Sequence, residues 1–433
     1  MNVSASKKRN LKETLRETEK LVEKSAKLGP KVRVAEGPPR KKKATMSPKV
    51  EVTSTKAKTT EKITVAQSTT PNSSKPLIVV AGSYDKILYG LQIEPEKDSG
   101  AEFKPVFCFP AHISCVKAVA ASPQGGKWLA TGATDETIKI WDLRRRKELG
   151  SLQQHQGSIT HLSFPTRSHL LSTSEDGVIC LYHTRDWSVL TTMRGHRERV
   201  NDLAVHPSAK VCLSVGKDRT LRMWDLMRGK GSASIKLGKE GEGVRWTPLG
   251  TRFAIFSGVT IDIYSTKMSL LQTIDHPARV HGIGFCQDSK SREFLCVAGE
   301  DKQVTVYRLS GIDDEATETH SSSPPVVSYL VGHKNRVKAL DISTNMGNTY
   351  VSTVSSDGRI HLYDMSEALS AEPGSEPSEI QPMASYDTNG SRLTCVVIAD
   401  GGADPAAGPL QRKRKRESSE EDNDGSSDGE DGG

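Results

Sequence analysis

The chain has 433 residues, 35% hydrophobic and 26% charged, enough for one large domain or two or three ordinary ones. No apolar run reaches the roughly 18 residues of a membrane span, and no apolar stretch follows Met1, so neither a span nor a secretory leader is expected. The seven cysteines make no C-x-x-C pair, which argues against structural zinc and suits a reducing compartment.

Residues 1–75 carry 19 Lys/Arg against 7 Asp/Glu. A basic segment this poor in apolar residues is predicted to be disordered, because it buries too little surface to offset ordering entropy. Within it, residues 8–28 place Leu11, Leu15, Leu21, Val22 and Leu28 among Lys and Glu, a marginal helix that Gly29-Pro30 would end. Arg40, Lys41, Lys42 and Lys43 follow Pro38-Pro39 as a cluster of the nuclear-import or nucleic-acid type.

From Leu77 the texture changes to short β-rich runs separated by turn residues. Residues 112–153 contain VKAVAAS, KWLATGA and TIKIWDL, and the pattern recurs over 155–193, 196–236, 241–274, 276–330 and 333–386. Residues 311–325 and 367–380 read as loops. Residues 76–399 hold 36 charges of each sign, so this body is neutral. After it, residues 400–433 carry 5 basic and 10 acidic residues and are predicted disordered. Arg412, Lys413, Arg414, Lys415 and Arg416 make a second import-type cluster. Ser418 and Ser419 stand before acidic residues as candidate phosphorylation sites, where added charge would modulate that cluster.

Three of the β-rich units share one grammar: His112, Asp135 and Trp141-Asp142; His196, Asp218 and Trp224-Asp225; His333, Asp357 and Tyr363-Asp364. A repeat of about 40–45 residues with a His…Trp-Asp signature reads as a WD40 blade. There are six full units. The leftovers, LIVVAGSYD, ILYGLQI and VFCF at the start and RLTCVVIA at the end, supply three strands and one strand of a seventh blade. The predicted architecture is all-β: a seven-bladed WD40 β-propeller over 76–399, closed by N- and C-terminal strands and flanked by charged tails.

The repeated polar residues suit a structural network. His112 with Thr131, Asp135 and Trp141, and His196 with Ser214, Asp218 and Trp224, resemble the WD40 tetrad. There the His bridges Asp and a hydroxyl that accepts the Trp N–H, so four buried polar groups satisfy one another. Recurrence once per blade favours this role over catalysis. No nucleophile elbow, zinc-protease helix or kinase set is present, so no enzyme activity and no cofactor are expected.

A second pattern is basic. Arg199, Arg279, Arg336 and Arg392 each stand immediately before the first apolar residue of a blade's first strand; Lys217, Arg219 and Lys302 flank the turn aspartates. In a propeller these positions share the top face. Arg279, Arg336 and Arg392, on successive blades, would form an arc for RNA phosphate or an acidic peptide, since an Arg fork matches both anions. The opposing expectation is solvated loop arginines balanced by Glu198 and Glu300. Trp141-Asp142-Leu143-Arg144 also fits the W-D-x-R pattern of propellers that recruit substrates to cullin ubiquitin ligases.

The segment VVAGSYDKILYGLQIEPE resembles the opening of the PAK-interacting WD-repeat proteins (p21-activated kinase interactors). TGATDETIKIWDL, HLLSTSEDGVICLYHTRDW, HPSAKVCLSVGKDRTLRMWDL, HKNRVKAL and SRLTCV extend the likeness over 77–398. The resemblance implies a nucleolar scaffold in biogenesis of the large (60S) ribosomal subunit and pre-rRNA processing. It would bind assembly factors, pre-60S particles and pre-rRNA as a monomer within a larger complex, away from membranes. The alternatives are negative regulation of a p21-activated kinase by direct binding, and a ubiquitin-ligase receptor role. Known family members carry a long Lys-rich C-terminal extension; here the basic extension precedes the propeller.

Overall fold

The computed structural model describes residues 77–95, 101–309, 324–345, 347–371 and 376–400. The expected tails, their helix and both basic clusters, with Ser418 and Ser419, lie outside these residues, as does most of the 311–325 loop.

Among the described residues the strands form seven sheets, six of four strands and one of five. Blades 1 to 6 run in chain order over residues 116–152, 159–194, 200–236, 243–275, 280–330 and 337–387. Blade 7 combines Leu393–Asp400 as its inner strand with Leu77–Ser83, Ile87–Pro95 and Ala101–Pro110. Its fourth strand begins well before the VFCF run, and Glu102–Glu94 pairing extends the ladder towards Ala101. The inner strands of consecutive blades touch in a closed cycle, blade 7 meeting both blade 6 and blade 1. The result is the predicted seven-bladed propeller.

The blades bury their second and third strands, where Val, Ile, Leu and Cys alternate with small residues. The outer strands of blades 1 and 3 are wet, whereas the fourth strand of blade 5, Val326–Leu330, is mostly buried. Clusters such as Ala130, Ile138, Ile159, Leu162 and Tyr182 form between one blade and the next. Blade 7 is sealed by seven paired positions between Leu77–Ser83 and the last strand, from Leu77 opposite Asp400 to Gly82 opposite Cys395 and Ser83 opposite Leu393. Gly82 allows this approach: a Cβ there would lie 2.7 Å from Val116 Cγ1 and 2.8 Å from Cys395 Sγ.

One element departs from the sequence reading. The segment between the third and fourth strands of blade 6, expected to be loop over 367–380, forms a short helix, Ser366–Ser370, then a strand, Ser378–Ile380. That strand pairs in parallel with Val326–Leu330 and becomes the fifth strand of blade 5. A three-residue strand has too little periodicity to be read; it forms because the edge of blade 5 offers unpaired backbone groups.

Truncation after Ser391 removes Leu393, Val396, Ile398 and Ala399 from the blade 7 core, together with a full ladder of hydrogen bonds. With about 1.5–3 kcal/mol for each large buried side chain, the loss is expected to exceed about 5 kcal/mol and abolish cooperative melting. Truncation after Asp400 should leave the melting temperature unchanged; differential scanning calorimetry of both variants checks this.

Candidate functional site: the top face and channel mouth

The top face carries the turns between second and third strands and the connections from one blade to the next. In blade 1, Trp141 Nε1 donates to Thr131 Oγ1 (2.9 Å), and Thr131 Oγ1 lies 2.8 Å from His112 Nε2. The hydroxyl proton therefore goes to Nε2, which leaves Nδ1–H to donate to Asp135 Oδ2 at 3.0 Å. Asp135 also accepts the Ile113 N–H and the Thr137 hydroxyl. Blade 3 repeats the set: Trp224 Nε1 to Ser214 Oγ 2.8 Å, Ser214 Oγ to His196 Nε2 2.7 Å, His196 Nδ1 to Asp218 Oδ2 3.0 Å. Burial would push the Asp218 carboxyl up, but the Arg197 N–H, Thr220 and His196 together hold it below the usual carboxylate range.

The third set differs at its aromatic. His333 Nε2 reaches Thr353 Oγ1 at 2.7 Å and Nδ1 lies 3.4 Å from Asp357, but the Tyr363 hydroxyl donates to the Val331 carbonyl. Two further sets escaped the sequence reading. His155 bridges Asp176 (3.0 Å) and Ser172 (2.6 Å), with Tyr182 in place of Trp. In blade 5, Val297 stands where the hydroxyl should be. His276 instead joins Asp301 through Nε2 (3.2 Å) to the Tyr307 hydroxyl through Nδ1 (2.9 Å). Blade 4 has no such set; Phe253 stacks on Tyr264 with centroids 5.4 Å apart and planes 9° apart.

Directly after the lock in blades 1, 2, 3, 5 and 6, and at the same place in blade 7, the inner strands shift register by one residue, blade 4 being the exception. The extra residues are Lys117, Thr160, Asn201, His281, Lys338 and Thr394. Bulges re-aim side chains, and here four of the six line a cavity of about 410 Å³ at the mouth of the channel, with Glu175, Arg199, Glu240, Glu242 and Arg279.

Charges around this mouth are paired over most of its circumference. Lys117 meets Glu175 at 2.9 Å, Arg199 meets Glu240 at 3.1 Å, and Arg279 meets Glu242 at 3.0 Å. Lys217 pairs with Glu198 at 3.5 Å. Arg199 and Arg279 are thus bridged to carboxylates of blade 4 or its approach, neither of them the partner anticipated. Arg336 and Arg392 are exposed and, among the described residues, make no side-chain ion pair. Arg219 and Lys302 are exposed at left-handed turn positions, φ 57° and 65°. Arg144, on the opposite side of blade 1, donates to the Gly125 carbonyl at 2.9 Å.

Deeper in the channel, Asp202 binds His161 at 2.8 Å and Arg245 at 2.5 Å, tying blades 2, 3 and 4 together. Asp341 accepts the Ile398 N–H at 2.7 Å, which hooks blade 6 to blade 7, and burial pushes its carboxyl up to about 6.

The WD domain, G-beta repeat model matches residues 103–142, 146–183, 187–225 and 324–364. A zebrafish "p21-activated protein kinase-interacting protein 1-like" is 33% identical over 321 residues, 74% of this chain and 80% of the relative. This chain belongs to the PAK-interacting WD-repeat family. Other members include "Protein MAK11" of Saccharomyces cerevisiae, 32% identical over 364 residues, 74% of this chain and 83% of that one. "Shk1 kinase-binding protein 15" of Schizosaccharomyces pombe is 27% identical over 333 residues, 75% and 86% of the two chains. Residues 187–225 of the matched repeats hold the blade 3 tetrad, whereas blade 4, which has none, falls outside every match.

His112→Ala would leave the buried Thr131 hydroxyl and the Asp135 carboxylate short of a partner. The expected cost is about 2–4 kcal/mol, read as a lower urea midpoint at unchanged slope. A second expectation concerns acid. His361, buried and with its ring 4.2 Å from that of His333, is pushed down to about 4 by burial and then by the His333 charge. Its folded pKa lies below the ordinary value of about 6.5, so between the two the unfolded chain holds a proton the folded chain lacks. Stability should therefore fall as pH drops from about 6.5 towards 4, by up to about 1.4 kcal/mol per pH unit for this group. His361→Phe should flatten that dependence, as measured by urea midpoints at pH 7 and pH 5.

Proposed function

We propose that the chain is a non-enzymatic nucleolar scaffold in large-subunit ribosome assembly and pre-rRNA processing. The observation that carries this reading is the uneven charge of the top face. Paired ions ring the mouth from blade 1 to blade 5, while Arg336 and Arg392 on blades 6 and 7 are without carboxylate partners. Such a sector is free to dock anionic groups of assembly factors or pre-rRNA. The basic residues of 1–75 and Arg412–Arg416 add phosphate contacts and import signals. Its place within the PAK-interacting WD-repeat family supports the same reading, through the ribosome-assembly role that the resemblance implies.

A second reading is direct binding and restraint of a p21-activated kinase. The names of the zebrafish and fission-yeast relatives favour it, since both state kinase interaction. It predicts partner binding that does not need the basic tails.

Sucrose-gradient sedimentation of a nuclear extract, probed for this protein and for pre-rRNA, separates the two. Co-migration with large-subunit precursors, lost at high salt and reduced several-fold by the double variant Arg336→Glu, Arg392→Glu, is the expected result. Migration as free protein or with a kinase alone would put the kinase reading first.

A further inference from the structure

The bulge residues of blades 5 and 6 differ from those of the other blades: Lys338 has no carboxylate partner among the described residues, and His281 has only the exposed Glu300, at 3.7 Å. Lys117 has Glu175 at 2.9 Å, and the Asn201 amide donates to Glu240 at 2.8 Å. Lys338 is half-buried and, among the described residues, makes no ion pair. His281 Nε2 is buried without a hydrogen bond, its nearest carboxylate oxygen being Glu300 Oε1 at 3.7 Å. The charged groups facing this pair are Arg279, Arg336 and Glu300. Arg279 is engaged by Glu242, so one exposed carboxylate, Glu300, stands against three cationic or protonatable groups. Burial, helped by the neighbouring cations, holds both Lys338 and His281 below their ordinary values. A half-buried cation short of a counter-ion is a costly state that an incoming anion relieves.

We propose that this sector of the channel mouth binds the carboxylate of an Asp or Glu side chain on a protein partner, with Lys338, Arg336 and His281 as its donors. The assignment rests on the docking role of the top face and names the chemistry of its partner. Charge favours a peptide over RNA. Arg279 and Thr394, which flank blade 6, line the same 410 Å³ mouth as Glu175, Glu240 and Glu242. A single carboxylate fits the cationic side, whereas a polyphosphate chain would also meet the acidic one. The neighbouring surface suits a peptide too. Ile113 is 82% exposed and Tyr84 60% exposed, and the Tyr84 N–H donates to the Arg392 carbonyl at 2.7 Å. The bare Tyr84 ring beside Arg392 gives an apolar residue near the acidic one somewhere to pack, and Ile113 is a second exposed apolar side chain on the connection entering blade 1.

The test uses fluorescence anisotropy of the full chain with three labelled probes. These are a Gly-Ser peptide with one Glu between two Leu, the same peptide with Gln, and a 12-nucleotide oligouridylate. The Glu peptide is expected to bind about tenfold more tightly than the Gln peptide, as a charge-assisted hydrogen-bond pair requires. Lys338→Gln and Arg336→Gln should each remove most of that difference, while Lys104→Gln, on the outer strand of blade 7, should leave it unchanged. Affinity for the Glu peptide should also be higher at pH 6 than at pH 8, because carboxylate binding favours protonated His281. Unchanged melting temperatures guard against misfolding, and Arg336, being exposed, gives a variant insulated from the core. Equal binding of Glu and Gln peptides, or no peptide binding, would overturn the site. So would oligouridylate binding that depends on Lys338 while peptide binding does not. The gradient experiment is independent: loss of the peptide site leaves particle co-migration of the wild-type chain standing, and absence of co-migration leaves the peptide site standing.

Discussion

The aspartate in the turn between second and third strands fixes the top face. Asp135 alone accepts from the His112 ring, the Ile113 N–H and the Thr137 hydroxyl, so one carboxylate ties a turn to the connection arriving from the previous blade. The lock is strong because its members are shielded from water and satisfy each other in sequence, from Trp N–H through hydroxyl and imidazole to carboxylate. It also sets the geometry of the mouth. The connection pinned by the His–Asp pair feeds the first residue of the inner strand, and the bulge follows at once. Blade 4 lacks both the lock and the bulge, and Glu242 occupies the mouth there, whereas blade 7 keeps its bulge at Thr394 without a histidine.

That arrangement gives the mouth a charge pattern with a direction. Blade 4 and its approach contribute two carboxylates, Glu240 and Glu242, which neutralise Arg199 and Arg279 on either side. The degenerate blade is thus the acidic hub of the ring, and cationic character accumulates on the far side, at blades 6 and 7. Exposed ion pairs of this kind add little to stability; their effect is on the potential met by an approaching partner.

The propeller was legible because its repeat is written in residues that the fold requires. His, Asp and Trp at fixed spacing marked blades 1 and 3, and the two orphan half-blades announced closure by both chain ends. The sets at His155 and His276 were harder to see. Tyr182 and Tyr307 replace Trp, and Val297 removes the hydroxyl on which the pattern depends, so the imidazole turns to a tyrosine instead. Basic residues of the top face could be placed by repeat position, but not their partners. Glu240 and Glu242 belong to the most divergent blade and pair with Arg199 and Arg279 at separations of 41 and 37 residues. The parallel strand Ser378–Ile380 left no periodic trace, since it is defined by the edge it covers.

The pairing of Leu77–Ser83 with Leu393–Asp400 has a consequence for how the chain is made. The first strands of blade 7 leave the biosynthetic tunnel before any other blade, yet their inner neighbour is among the last residues of the folded body to emerge. For the whole interval of synthesis, an apolar edge running from Leu77 to Ala81 has no partner. Exposed edges of this kind attract strands from other chains. Closure of this propeller therefore waits until residue 400 is free, and until then the nascent edge is open to strands of other chains.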